Sequence, residues 1–137
     1  MNIEESLHIV EQTIQELIIR NHEIPIIVEG KKDKISLQNL GIKGEIIIYN
    51  KGKSLTDFCD WIAQSYPDVI ILTDWDRRGG MLCHRMMELF DGRVLYDTTF
   101  REIFAKHTMI KTVEGMDSWI QTMSKMNFLN LVTVGFK

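Results

Sequence analysis

The run Val69-Ile70-Ile71-Leu72-Thr73-Asp74-Trp75-Asp76-Arg77-Arg78-Gly79-Gly80 decides how the chain is read. Apolar residues lead without interruption into two aspartates spaced i, i+2, then two arginines and two glycines. A short continuous apolar run reads as a strand buried on both faces, the kind found in parallel sheets. Side chains at i and i+2 of an extended segment point the same way. Asp74 and Asp76 are therefore expected side by side at the strand's carboxyl end. Two carboxylates that close repel unless a cation or a proton neutralises one of them. Mg²⁺, a hard cation usually held by one or two protein carboxylates together with phosphates, suits such a pair. Taken alone, the same residues would also make a charged turn capping the next helix.

Working outward, the chain alternates strands with helices. Residues 3–20 carry Ile3, Leu7, Val10, Ile14 and Leu17 at helical spacing, an amphipathic helix whose apolar stripe either packs on the sheet or meets a second copy. Pro25 opens a first strand, Ile26-Ile27-Val28-Glu29-Gly30, in which Gly30 allows a sharp turn. A helix follows from Lys31 through Leu40, then a second strand, Glu45 to Tyr49, and a turn at Asn50-Lys51-Gly52-Lys53. Ser54-Leu55-Thr56-Asp57 resembles a capping box and starts a helix with Phe58 and Ile62 inward. Gly52-Lys53-Ser54 is not a phosphate-binding P-loop, because position 47, where that motif needs glycine, is Ile47. After the central strand, Gly79-Gly80 opens a helix, Arg93–Tyr96 makes a short fourth strand, and residues 99–106 another helix. Val113–Asp117 is turn-like and precedes a last helix with Trp119, Ile120 and Met123. The tail Leu131-Val132-Thr133-Val134 has the composition of an edge strand. Strands alternating with helices predict an α/β fold: about four strands, mostly parallel, with helices on both faces.

The totals narrow the function. At 137 residues the chain is long enough for one domain with a proper core, and 45% apolar with 26% charged residues is ordinary for a globular protein. No apolar run approaches the ~20 residues of a membrane span, and the acidic, amphipathic N-terminus is no secretory signal. Cys59 and Cys83 lack C-x-x-C spacing and read as buried, reduced thiols of a cytoplasmic protein. The four histidines form no zinc pattern, and a net charge of −3 argues against a broad nucleic-acid surface while leaving room for a local basic site.

Such a site is visible in the loops. In parallel α/β sheets ligands bind beyond the carboxyl ends of the strands. Glu29 ends the first strand, and Asp74 and Asp76 end the third. Lys31, Lys32 and Lys34 follow the first strand, Lys51 and Lys53 the second, and Arg77 and Arg78 the third, seven of the sixteen Lys and Arg residues. Three carboxylates among basic loops suit a metal-bound phosphate: the carboxylates hold the cation and the basic side chains hold phosphate oxygens. The helix after Gly79 would add N–H groups aimed at an anion.

With Glu29-Gly30 after one strand and Asp74-x-Asp76 after another, the chain resembles the Toprim domain family over residues 25–97. That catalytic domain is shared by bacterial primases, topoisomerases, certain nucleases and the ribonuclease that matures 5S ribosomal RNA. Its short length is similar to the small stand-alone members. The resemblance implies a Rossmann-like Toprim fold, here expected over 23–137 behind an N-terminal helix at 1–22. It implies Mg²⁺, with Mn²⁺ as a substitute, on Asp74, Asp76 and Glu29. Glu29 would act as general acid/base or metal-linked carboxylate. Arg77, Lys31 and Lys32 would contact phosphate, with Arg78, Lys51 and Lys53 as further basic candidates. Gly30, Asp33, Glu114 and Trp75 are secondary candidates. Glu114 lies in Val113-Glu114-Gly115, which resembles an acidic element of the ribonuclease relatives. Trp75 would either stack on a base or pack on the neighbouring helix. The chain departs from type IA topoisomerases, whose pattern is Asp-x-Asp-x-Glu followed by Gly-Glu: Arg78 occupies the third acidic position and Gly80 replaces the last Glu. Nor does Tyr49, Tyr66 or Tyr96 read as a nucleophile.

The expected function is Mg²⁺-dependent phosphodiester chemistry on nucleic acid, first a nuclease with RNA ahead of DNA, with primase-like nucleotidyl transfer a rarer form. The alternative is a noncatalytic module that binds nucleic acid or nucleotide and recruits partners. The expected partners are nucleic acid and another protein supplying substrate-binding surface, with no membrane, and the chain as monomer or dimer.

Overall fold

A computed structural model describes residues 2–49 and 52–135. In chain order the elements are α1 (Ile3–Asn21), β1 (Ile26–Val28), α2 (Lys31–Asn39), β2 (Ile46–Ile48), α3 (Leu55–Ser65), β3 (Asp68–Ile71), α4 (Arg77–Phe90), β4 (Leu95–Asp97), α5 (Thr99–His107) and α6 (Met116–Gly135). The strands form one sheet in the order β2-β1-β3-β4, every neighbouring pair parallel. The α/β alternation predicted from the sequence is therefore the observed architecture.

The sheet is buried on both sides at β2, β1 and β3, which is why those strands are built on apolar runs, whereas β4 at the edge is exposed and ends in Asp97. Ile26, Val28, Ile46, Ile70 and Leu72 point to one side and pack with α1, α2, α5 and α6. Ile27, Ile47, Val69 and Ile71 point to the other and pack with Phe58, Cys59 and Ile62 of α3 and Cys83, Met86 and Phe90 of α4. Leu7, Val10, Ile14 and Leu17 of α1 are buried in the first core, so that stripe is spent on the fold and not on a second copy. Phe90 is fully enclosed in the second core, and truncating such a ring to alanine costs about 3–5 kcal/mol. Cys59 and Cys83 are free and buried, as expected, and burial pushes the Cys59 thiol up to about 11. Among the described residues no helix is long and apolar enough to cross a membrane.

Local chemistry fixes the helix starts. Ser54 Oγ accepts from Asp57 N at 3.1 Å and caps α3, as its sequence suggested. Three expectations change. The tail 131–134 is no edge strand: α6 continues through it to Gly135, its backbone bonds closing within the helix, where a lone strand at the sheet edge would leave them open. α4 opens at Arg77 and not at Gly79, because Asp76 caps it, its Oδ1 accepting from Gly79 N at 2.7 Å. β3 stops at Ile71, so Asp74 and Asp76 stand beyond the strand in a loop, each turned to its own backbone partner instead of lying parallel on one pleat.

Candidate metal and phosphate site

The strand order creates the site. β1 and β3 are neighbours at the centre of the sheet, and the chain leaves β1 toward β2 but leaves β3 toward β4. Between two strands whose connections diverge, the loops part and open a crevice at the carboxyl edge. A cavity of about 400 Å³ lies there, lined by Glu29, Gly30, Lys31, Lys32, Asp33, Asp74, Asp76, Arg78 and Glu114. Carboxylates from three separate segments thus share one pocket with three basic residues.

Hydrogen bonds hold the carboxylates in place. Asp74 N donates to Glu29 Oε2 at 2.8 Å, which ties the ends of β1 and β3 together. Asp74 Oδ1 accepts from Val113 N at 2.8 Å. Trp75 N donates to Lys111 O at 2.9 Å, and the Trp75 indole N–H donates to Ile110 O at 2.6 Å. Loop 73–76 is therefore laced to segment 110–113. Asp33 Oδ2 accepts from Gly30 N at 3.0 Å across the first turn of α2, and the Glu114 backbone N–H lies close enough to favour its charged form.

Two residues outside the predicted set of ligands organise this loop. Arg101, on α5, donates from Nε to Thr73 O at 3.1 Å and from Nη2 to Asp74 O at 2.8 Å, clamping the backbone from below. Nothing in the sequence marks it, since a single arginine on an amphipathic helix reads as a solvated face. Gly79 is the second. A Cβ there would stand 2.0 Å from Asp74 O, so the first turn of α4 can lie against the loop only if this position carries no side chain. Thr73 Oγ1 completes the contact by donating to Gly79 O at 2.9 Å. Gly30, by contrast, has extended backbone and room for a Cβ, so the turn after β1 does not require glycine.

Electrostatics set the pocket's character. Burial pushes Asp74 from its ordinary 3.8 to about 6; the Val113 N–H opposes this, and the negative charges of Asp33, Glu29 and Asp76 add to it. Asp33 is also raised, chiefly by burial, with Glu29 and Glu114 contributing against the Gly30 and Glu114 N–H groups. The pocket has gathered more negative charge than its own basic residues relieve. Lys32 reaches only the exposed Glu114, at 3.9 Å. Lys31 and Arg78 form no ion pair among the described residues.

The other candidates fall elsewhere. Arg77 is exposed on the first turn of α4 and does not line the pocket. Lys53 lies over the Trp61 ring, its Nζ 5.9 Å from the centroid, and is also outside the pocket. Lys51 lies outside the described residues. Trp75 packs at 5.9 Å from Phe104 with its N–H used internally, so it is a framework residue and not a stacking platform. Among the described residues no three His, Cys, Asp or Glu side chains converge as a preformed cage. The donors are all oxygens, the type Mg²⁺ takes while keeping several waters and binding through as few as one or two protein carboxylates.

Known proteins share this fold. The Toprim domain profile matches residues 24–107. A UPF0292 protein of Thermoplasma volcanium is 45% identical over 98 residues, 71% of this chain and 82% of the relative. A UPF0292 protein of Methanocaldococcus jannaschii is 38% identical over 112 residues, 80% of this chain and 88% of the relative. A solved protein from Aquifex aeolicus superposes with a TM-score of 0.65 at 33% identity, covering 75% of this chain and 94% of that one.

Proposed function

Because this chain belongs to the Toprim domain family, whose chemistry is metal-dependent work on nucleic acid, we propose that it is a divalent-metal-dependent nuclease, with RNA ahead of DNA as substrate. The observation that carries the reading is the shared pocket: Glu29, Asp74 and Asp76 from the segments that follow β1 and β3, flanked by Asp33 and Glu114 and rimmed by Lys31, Lys32 and Arg78.

Asp74 and Asp76 would hold Mg²⁺, and the raised Asp74 fits this, since a group that burial and like charges make costly to ionise is relieved by a cation. When bound, the metal supplies charge neutralisation for a phosphate and a more acidic water. The chain's own residues do the rest. Lys31, Lys32 and Arg78 bind phosphate oxygens at the rim. Glu29 has one oxygen engaged by Asp74 N–H, which fixes the carboxylate and leaves Oε1 to take or give a proton at the reacting oxygen. Arg101 and Gly79 keep the Asp74 backbone in register with that proton-transfer group.

A second reading, a noncatalytic binding module, is favoured by one feature. Arg78 stands in the pocket at the position where the topoisomerase pattern has its third acid. The two are separated by incubating purified protein with Mg²⁺ or Mn²⁺ on structured RNA, single-stranded DNA and duplex. A nuclease cuts at least one, loses activity in EDTA and loses it in Asp74→Asn. Absence of cleavage on all three removes the nuclease reading, and nucleoside triphosphates added to the same mixtures detect nucleotidyl transfer instead.

A further inference from the structure

Beside the carboxylate pocket lies an aromatic row that the site described so far leaves unused. The parallel register pairs Val28 with Ile48, so Tyr49 is placed opposite Glu29, one strand away. The Tyr49 ring meets Phe58 edge-on at 5.1 Å, Phe58 meets Trp61 at 6.2 Å, and Trp61 meets Tyr66 edge-on at 6.0 Å. Phe58 is buried and acts as the floor. Trp61, on α3, is 43% exposed. Its ring stands between Tyr66, at the C-cap of α3, and Lys53, in the turn that follows β2 at the carboxyl edge of the sheet. Lys53 arches over that indole. Of the two acids near Trp61, Asp60 pairs with Arg93 at 2.9 Å, while Asp57 lies one turn earlier on α3 and is exposed.

We infer that Trp61 and Lys53 form a subsite for an unpaired stretch of nucleic acid that continues from the carboxylate pocket across the end of β2. This deepens the proposed function and rests on it. A wide aromatic face backed by packed rings, with a cation above it and the proposed phosphate-binding pocket reached past Tyr49, matches what single-strand binders use: bases stack on the ring and the cation follows the backbone. A lysine over an exposed indole is held less tightly than a stacked base. The strand's base displaces the Lys53 ammonium from the ring, and the ammonium pairs with the adjoining phosphate. A duplex, whose bases are already stacked on each other, has no free face to offer. The substrate class is accordingly nucleic acid with single-stranded segments: a loop, a tail or a frayed end.

The test is binding of a 5′-labelled RNA dodecamer without self-structure, and of the corresponding duplex, in EDTA so that no cleavage occurs. Trp61→Ala and Trp61→Leu should weaken single-strand binding about 5- to 150-fold, the equivalent of about 1–3 kcal/mol at 1.36 kcal/mol per decade. Trp61→Phe should recover most of the loss, and duplex binding should stay within twofold. Lys53→Ala should lower the slope of log K against log salt by about 0.7, one phosphate contact on a single strand. Circular dichroism confirms that each variant is folded. Single-strand binding unchanged by Trp61→Ala, equal losses for strand and duplex, or no binding of the dodecamer by the unmodified protein overturns the subsite. Cleavage abolished by Asp74→Asn but indifferent to Trp61 leaves the nuclease standing without the subsite. Trp61-dependent binding with no cleavage does the reverse.

Discussion

Asp74 is held in place at a cost to the fold, and replacing it with asparagine should expose that cost. Asp74→Asn keeps an oxygen for the Val113 N–H at 2.8 Å and removes only the charge. Holding the carboxyl at about 6 against its ordinary 3.8 corresponds to about 3 kcal/mol at 1.36 kcal/mol per pH unit. The group is only half-buried, so solvent screening reduces this to about 1–2 kcal/mol. The sign follows from linkage. A carboxyl raised in the folded state favours folding where it is protonated in both states, and that contribution is lost as pH rises through the folded value. Metal-free protein should therefore lose stability between about pH 4 and pH 7, and Asp74→Asn should not lose that part. In EDTA at pH 7 the variant should melt higher, by about 2–8 °C at roughly 2–4 °C per kcal/mol for a chain this size, and the gap should close toward pH 4. Adding Mg²⁺ with an oligonucleotide should stabilise the unmodified protein and leave the variant behind, because only a state that binds ligand gains by mass action. Thermal melts by circular dichroism across pH, with and without metal, read all of this. A variant that melts lower than the unmodified protein at pH 7 in EDTA would refute the reasoning.

Further expectations concern the loop's supports. Gly79→Ala should destabilise by more than about 2 kcal/mol in urea unfolding, since its Cβ meets backbone at 2.0 Å and overpacking against backbone cannot relax. Gly80→Ala, whose Cβ would meet only Arg101 Nη2, at 3.4 Å, should be neutral or stabilising by up to about 1 kcal/mol from helix propensity. Arg101→Ala removes the charged donors to Thr73 O and Asp74 O and should cost about 2–4 kcal/mol; any cleavage activity should fall further than stability alone explains, measured at a temperature where the variant is fully folded. Asp76→Ala should cost about 1 kcal/mol as a lost helix cap while Asp76→Asn retains the cap, so a metal effect common to both variants belongs to the charge and one confined to alanine belongs to α4.

The sequence made the frame legible because burial wrote it plainly. Strands covered on both faces had to be apolar throughout, and Ile26–Val28, Ile46–Ile48 and Val69–Ile71 are. The pairing of Glu29 with Asp74 and Asp76 followed from the rule that strand ends meet at one edge, and the pocket at the divergence of β1 and β3 contains all three. What the sequence hid was contact between distant segments. Arg101 reaches Asp74 across 27 residues, and Val113 N reaches its carboxylate across 39. Neither has a local signature. Lys53 looked like a phosphate ligand because it follows a strand, yet the indole of Trp61, eight positions on, draws it sideways. The tail from Leu131 reads as strand by composition, but helix α6, started 15 residues earlier at Met116, simply propagates through it.

The central claim, that Asp74 and Asp76 hold a divalent cation, is tested most directly by calorimetric titration of Mn²⁺, with and without a single-stranded oligonucleotide to complete the site. The comparison is between the unmodified protein and Asp74→Asn/Asp76→Asn, which preserves the acceptor for Val113 N and the cap of α4. Binding by the unmodified protein that is lost in the double variant is the predicted result. Identical titrations for the two proteins, or no metal binding by the unmodified protein even with oligonucleotide present, would contradict it.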